Sequence, residues 1–178
     1  MTMSSDSVHM SQTAAALLAL AAWGWTGPAG AQQAVAPVAP PPVAPLPVAG
    51  LWLDDTGGGI IEIASCGERL CGHIVWLKAP TDKAGRPITD GYNPDARKRN
   101  RPVCGLQVIG DLKRIGATAW DAGWIYDPKE GKSYDVEIKP RGPDKLVVTG
   151  YLGVKFLSES FVWTRASATT PKCQVATN

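Results

Sequence analysis

The sequence predicts an all-β fold, an antiparallel up-and-down barrel of about eight strands, and three observations carry that expectation. From Gly50 to about Arg165, apolar and polar residues alternate in short runs, the period-two signature of strands with one buried face. Between the runs lie tight-turn sequences such as "DPKEGK" and "RGPD", where Pro fixes φ and Gly accepts positive φ. No window holds a sustained helical repeat, although "NPDARKRNR" suits a turn or two of helix. Hairpin-length connections favour meander order, and closing a meander removes its exposed edges.

Taken in order, "GLWLDD" opens the barrel. "GIIEIAS" sets Ile61 and Ile63 on one face, and "LCGHIVWL" sets Ile74 and Trp76 on one face. One strand is expected within "RPVCGLQVIGDL". "AWDAGWIYDP" lines up Trp120, Trp124 and Tyr126 at spacings of two or a multiple of it. The cleanest alternation is "SYDVEIK", with Tyr134, Val136 and Ile138 inward and Asp135, Glu137 and Lys139 outward. "KLVVTGYLG", carrying Tyr151, and "ESFVWTR", carrying Phe161 and Trp163, complete the set. Trp76, Trp120, Trp124, Tyr126, Tyr134, Tyr151 and Phe161 are therefore the candidate lining of a ligand site inside the barrel. A barrel of this size encloses either a packed core or room for one small apolar molecule.

The chain of 178 residues divides by composition. "TAAALLALAAWGW", residues 13–25, has the length and apolarity of a signal peptide, and Ala29 and Ala31 supply an A-x-A pattern before a cut at Gln32. The segment ahead of that run carries no Lys or Arg, a departure from the usual signal-peptide charge. Next comes "AVAPVAPPPVAPLPVAG", whose prolines exclude sheet and helix and favour an extended polyproline II tether. The expected organisation is a signal peptide at 1–31, a Pro/Ala-rich linker at 32–49, the barrel at 50–166 and a tail at 167–178. Location in the periplasm or outside the cell follows, with no integral membrane segment after cleavage. A net charge of +2 gives no reason to expect nucleic-acid binding.

Gly-x-Trp at the start of a barrel, here Gly50 and Trp52, is a feature of lipocalins and other calycins. Arg165 ends the last strand, and the first and last strands of a closed barrel are neighbours. A guanidinium across the indole is then expected to close one end, a structural role worth roughly 0.5–2 kcal/mol. More specifically, the order "GLW", "IEIASCGERLCGHIVWL", "RPVCGL", "GWIYDPKEGKSY", "LVVTGYLG" and "WTR" resembles an exported bacterial family, domain of unknown function 2147. The resemblance spans Gly50 to Arg165 and implies a small calycin-like barrel, secreted or periplasmic, holding a small apolar ligand. It implies no established reaction, and no cofactor is expected.

Four cysteines in an exported chain are expected to be oxidised. Cys66 and Cys71 flank a four-residue loop, and a bridge there fixes the register of the first hairpin. Zinc is the competing reading, but C-x4-C is not the usual zinc spacing. Cys104 and Cys173 either bridge the barrel to its tail or remain as thiols. The long connection Lys78 to Pro102 ends in a basic run, Arg97, Lys98, Arg99 and Arg101, a candidate contact for an anionic envelope component. The leading functional expectation is binding of a small hydrophobic ligand in or at the mouth of the barrel, without catalysis or metal. The alternative is a tethered cell-envelope interaction module with a filled barrel. An enzyme using Cys104 or His73 comes third, since no nucleophile elbow, zinc motif or phosphate loop is present.

Overall fold

The structure, a computed structural model, describes residues 46–173, which belong to one compact unit of the chain. The expected signal peptide and most of the expected linker lie outside the described residues. Eight antiparallel strands follow one another around a closed barrel. They are β1 (Gly50–Leu53), β2 (Gly59–Cys66), β3 (Arg69–Leu77), β4 (Gln107–Arg114), β5 (Trp120–Asp127), β6 (Lys132–Pro140), β7 (Lys145–Leu152) and β8 (Val154–Arg165). The expected turn in the basic run is a short 3-10 helix, Ala96–Lys98, capped by the Asp95 carboxylate.

One end of the barrel, here the floor, carries the turns at 67–68, 115–119 and 141–144. The other end, the mouth, carries 54–58, the long connection 78–106, the turn at 128–131 and Gly153. Large buried side chains fill the floor. Trp52, Trp120 and Trp163 are buried there with Ile109, Leu112, Ile138 and Leu146. Trp52 pairs with Arg165 across the seam, and the Arg165 guanidinium lies 4.1 Å from the indole centroid. Its three nitrogens donate to the carbonyls of Pro47, Ala49 and Pro143. Leu46 to Ala49, assigned to the linker by sequence, are thus part of the floor, with Val48 buried and its carbonyl accepting from Trp52 Nε1 at 2.8 Å.

Three irregularities change which side chains face inward. A bulge adds a residue to one strand and reverses the alternation beyond it. Ile60 pairs with Trp76 but Ile61 pairs with Ile74, so Val75 is extra and Trp76 turns outward while Ile74 stays in the core. Trp120 pairs with Ile138 but Gly123 with Val136, and Ala122 takes φ 55°. Trp120 therefore points inward, whereas Trp124 and Tyr126, on the far side of that bulge, point outward. In β4, Asp111 at φ 57° makes the matching adjustment. Tyr151 pairs with the outward Asp135 and is also on the outer face. Of the seven aromatics expected inside, Trp120, Tyr134 and Phe161 are there; Trp76, Trp124, Tyr126 and Tyr151 are not.

Both disulfides are present. Cys66–Cys71 spans Cα atoms 5.9 Å apart. Cys66 pairs with Arg69 and Ala64 with Cys71, so the turn is the two residues Gly67 and Glu68 and the bridge runs diagonally across the hairpin. The expected four-residue loop is shorter because the strands continue through Cys66 and Arg69. Cys104–Cys173 joins the long connection to the tail. That tail crosses the outside of three strands. The Ala166 N–H donates to Leu51 O, Lys172 pairs with Glu62 at 2.6 Å, and the Cys173 N–H donates to Val75 O.

Candidate functional site

The long connection folds back over the outer face of the mouth and is fixed there by one buried carboxylate. Asp90 is 0% exposed and accepts from Tyr126 Oη at 2.6 Å, Asn93 Nδ2 at 2.7 Å and Arg101 Nε at 2.8 Å. Arg101 also forms an ion pair with Asp90 through a second nitrogen at 2.8 Å. Burial, then the bond to Asp90, pushes the Tyr126 hydroxyl pKa above its ordinary value. The donors to Asp90, one on Oδ1 and three on Oδ2, offset the cost of burying the carboxylate. Asn93 Oδ1 in turn accepts the Asp95 N–H, and the carbonyl of Asn93 takes the Arg99 guanidinium at 2.7 Å.

Between this connection and β4–β6 lies a groove of about 660 Å³. Trp124 and Tyr126 of β5 line it together with Asn93, Pro94, Lys98 and Arg101 of the connection, and Gln107 and Ser133 add polar groups. The position of Trp124 follows from two glycines. A side chain at Gly110 would run into the indole, and one at Gly123 would strike the Gly110 carbonyl and Leu112. Trp124 Nε1 donates to Asp111 Oδ2 at 3.0 Å, which sets the ring against β4. A smaller recess of about 190 Å³ sits at the floor beside Arg114 and Trp120.

The basic run is largely occupied by its own loop. Arg97 bonds Asp95 through two nitrogens at 3.1 Å, and Arg99 and Arg101 are engaged as above. Lys98 is 3.9 Å from Asp95 and its side chain is 56% exposed, so it is the cation best placed to meet a ligand in the groove. Among the other expected site residues, Tyr134 is half-buried at the mouth, its hydroxyl 3.0 Å from Glu130 Oε2. Phe161 packs half-buried against the core. Tyr151 donates to Asp121 at 2.7 Å on the outer face. His73 lies between Glu62 and Gln107 in the register, on the outer face. The Cys104 sulfur is bonded to Cys173 and offers no thiolate nucleophile.

Sequence reasoning weighed Asp90 and Asn93 only as calcium ligands, whose spacing does not fit, and missed Gly110, Gln107 and Ser133. A legible signal existed for the first two, since Asp and Asn before Pro-Asp are loop-fixing residues. Nothing local marked the other three.

With this geometry in hand, the comparisons are specific. Residues 50–165 match a family described as uncharacterized protein conserved in bacteria, DUF2147. The chain belongs to that family. Among solved structures, it is similar to protein HP1028 from the human pathogen Helicobacter pylori, which belongs to the lipocalin family. The two are 21% identical with a TM-score of 0.58, over 67% of this chain and 83% of the other. That likeness establishes the lipocalin-like fold. Among curated proteins, none matches this chain.

Proposed function

We propose that this DUF2147 member is an exported binding protein that holds a small amphipathic molecule, an apolar body bearing one anionic group, in the groove at its mouth. The observation that carries this reading is the groove itself, about 660 Å³ lined by aromatic Trp124 and Tyr126 together with Lys98. Ligand sites of this size class are typically apolar with a few polar groups that fix orientation. The filled floor moves the preferred location from the deep interior to the mouth. Export is supported by the two disulfides, which persist in oxidising compartments, and by the apolar run at 13–25.

The test uses the anionic naphthalene dye ANS, which has an apolar body and one sulfonate. Titration of the folded protein should give saturable fluorescence, and Trp124→Ala or Lys98→Glu should weaken the affinity about tenfold, the loss of roughly 1.4 kcal/mol. Equal binding by both variants would remove the groove as the site. Native mass spectrometry of protein taken from the periplasm supplies the natural counterpart, a bound mass lost in Trp124→Ala.

A further inference from the structure

We propose that the β7–β8 hairpin is a membrane-docking finger that seats the mouth of the barrel on a lipid surface bearing anionic headgroups. Leu152, Val154, Phe156 and Leu157 are 61%, 59%, 93% and 65% exposed, within six residues around Gly153 at φ 67°. Four large apolar side chains at one tip are not the scattered exposure normal for a protein surface. β1 pairs with β8 only at Thr164 and Arg165, so the finger stands clear of the first strand.

The exposure is built into the fold. Tyr151 pairs with Ser158 and Leu152 with Val154, which leaves Lys155, Phe156 and Leu157 outside the ladder. Lys155 turns back and is held between Asp121 Oδ2 at 2.5 Å and Glu137 Oε1 at 2.6 Å. The Gly153 N–H donates to Asp135 Oδ2 at 2.9 Å. With its root anchored, the tip presents Phe156 and Leu157 in a fixed direction. A hairpin pinned by its lysine has no covering element of its own to bury those side chains.

Two quantities select a lipid surface over a second copy of the chain. Weighted by their exposures of 59–93%, the four side chains offer about 500 Å² of apolar surface, short of the roughly 800 Å² per partner of a stable protein interface. Charge supplies the second. The connection Lys78 to Pro102 at the same end carries seven basic and three acidic residues, and Tyr92 on it is 73% exposed beside the β5–β6 turn. Apolar side chains with an aromatic hydroxyl and net positive charge at the same end of the barrel match the chemistry of an anionic bilayer interface.

All the described strands and both disulfides lie within 46–173, so the chain from Gln32 onward carries the whole barrel and avoids lipid binding by residues 13–25. That chain should co-sediment with vesicles of mixed phosphatidylglycerol and phosphatidylcholine, and far less with phosphatidylcholine alone. The double variant Phe156→Ser, Leu157→Ser should lose about tenfold or more of that affinity with its melting temperature unchanged. Trp124→Ala, which tests the groove, should bind vesicles like the parent, so failure of the ligand reading and failure of this one are distinguishable. No sedimentation of the parent, or equal binding by the double variant, overturns the proposal. So does a parent dimer in sedimentation velocity that the double variant converts to a monomer, which would assign the tip to a second copy.

Discussion

Arg165 offers a direct test of how the barrel is sealed. β1 and β8 share only two residue pairs, so the seam depends on side chains more than on the ladder. Arg165→Ala removes a guanidinium 4.1 Å from the Trp52 ring and bonds of 2.9, 3.1 and 2.7 Å to Pro47, Ala49 and Pro143. The stacking contributes roughly 0.5–2 kcal/mol. Each partly solvated hydrogen bond adds about 0.5–1 kcal/mol, for a total near 3 kcal/mol. For a folded unit of this size that lowers the melting temperature by about 10 °C. Arg165→Lys keeps the charge but cannot reach three carbonyls with one ammonium, and should lose about half as much. Thermal unfolding followed by circular dichroism reads both. If Arg165→Ala melts within about 1 °C of the parent, the seam is held by something else. A Trp52→Leu cycle then isolates the ring–guanidinium coupling, expected at about 1 kcal/mol.

Further expectations concern other parts of the fold. Cys173→Ser opens a disulfide closing 69 residues and should cost about 4 kcal/mol by chain entropy, read in urea unfolding; a shift below about 1 kcal/mol would mean the tail adds no constraint. Burial raises the Asp121 and Glu137 pKa values, but hydrogen bonds, from Lys155 and Tyr151 to Asp121 and from Lys139 and Lys155 to Glu137, outweigh it, and both lie below the usual carboxylate range. Groups depressed in this way stabilise the fold above about pH 4 and lose that contribution as pH falls through their folded values. Lys155→Met should therefore move the acid-unfolding midpoint to higher pH, and an unchanged midpoint would refute the coupling. Tyr126→Phe takes one donor from buried Asp90 and should cost about 2 kcal/mol, with loosened protection of the 78–106 amides in hydrogen exchange. Gly110→Ala places a methyl against the Trp124 indole and should weaken dye binding more than it lowers the melting temperature.

The strands were legible because their chemistry is local. Alternation in "SYDVEIK" and "ESFVWTR" and glycine or proline between runs are enough to mark β6 and β8. The first and last strands were also legible as partners, since Trp52 and Arg165 sit at the two ends of a closed meander. The aromatic lining was not. An extra residue at Val75 or Ala122 leaves each short run looking regular while turning Trp76, Trp124 and Tyr126 to the other face. The groove was harder still, because Asp90 meets Tyr126 across 36 positions and such pairings have no sequence period. Likewise "GYLGVKFLSES" reads as an ordinary hairpin, and only the anchoring of Lys155 reveals that Phe156 is left in solvent.

The seam has a consequence for how the molecule is made. Its two closing segments are the first and last of the described strands, so every intermediate that lacks β8 is an open sheet with a bare margin. Closure is therefore a single late event, and the diagonal sulfur clip on the opening hairpin and the sulfur link from tail to loop act at opposite ends of that sequence. A polypeptide built this way stays uncommitted until β8 has been made.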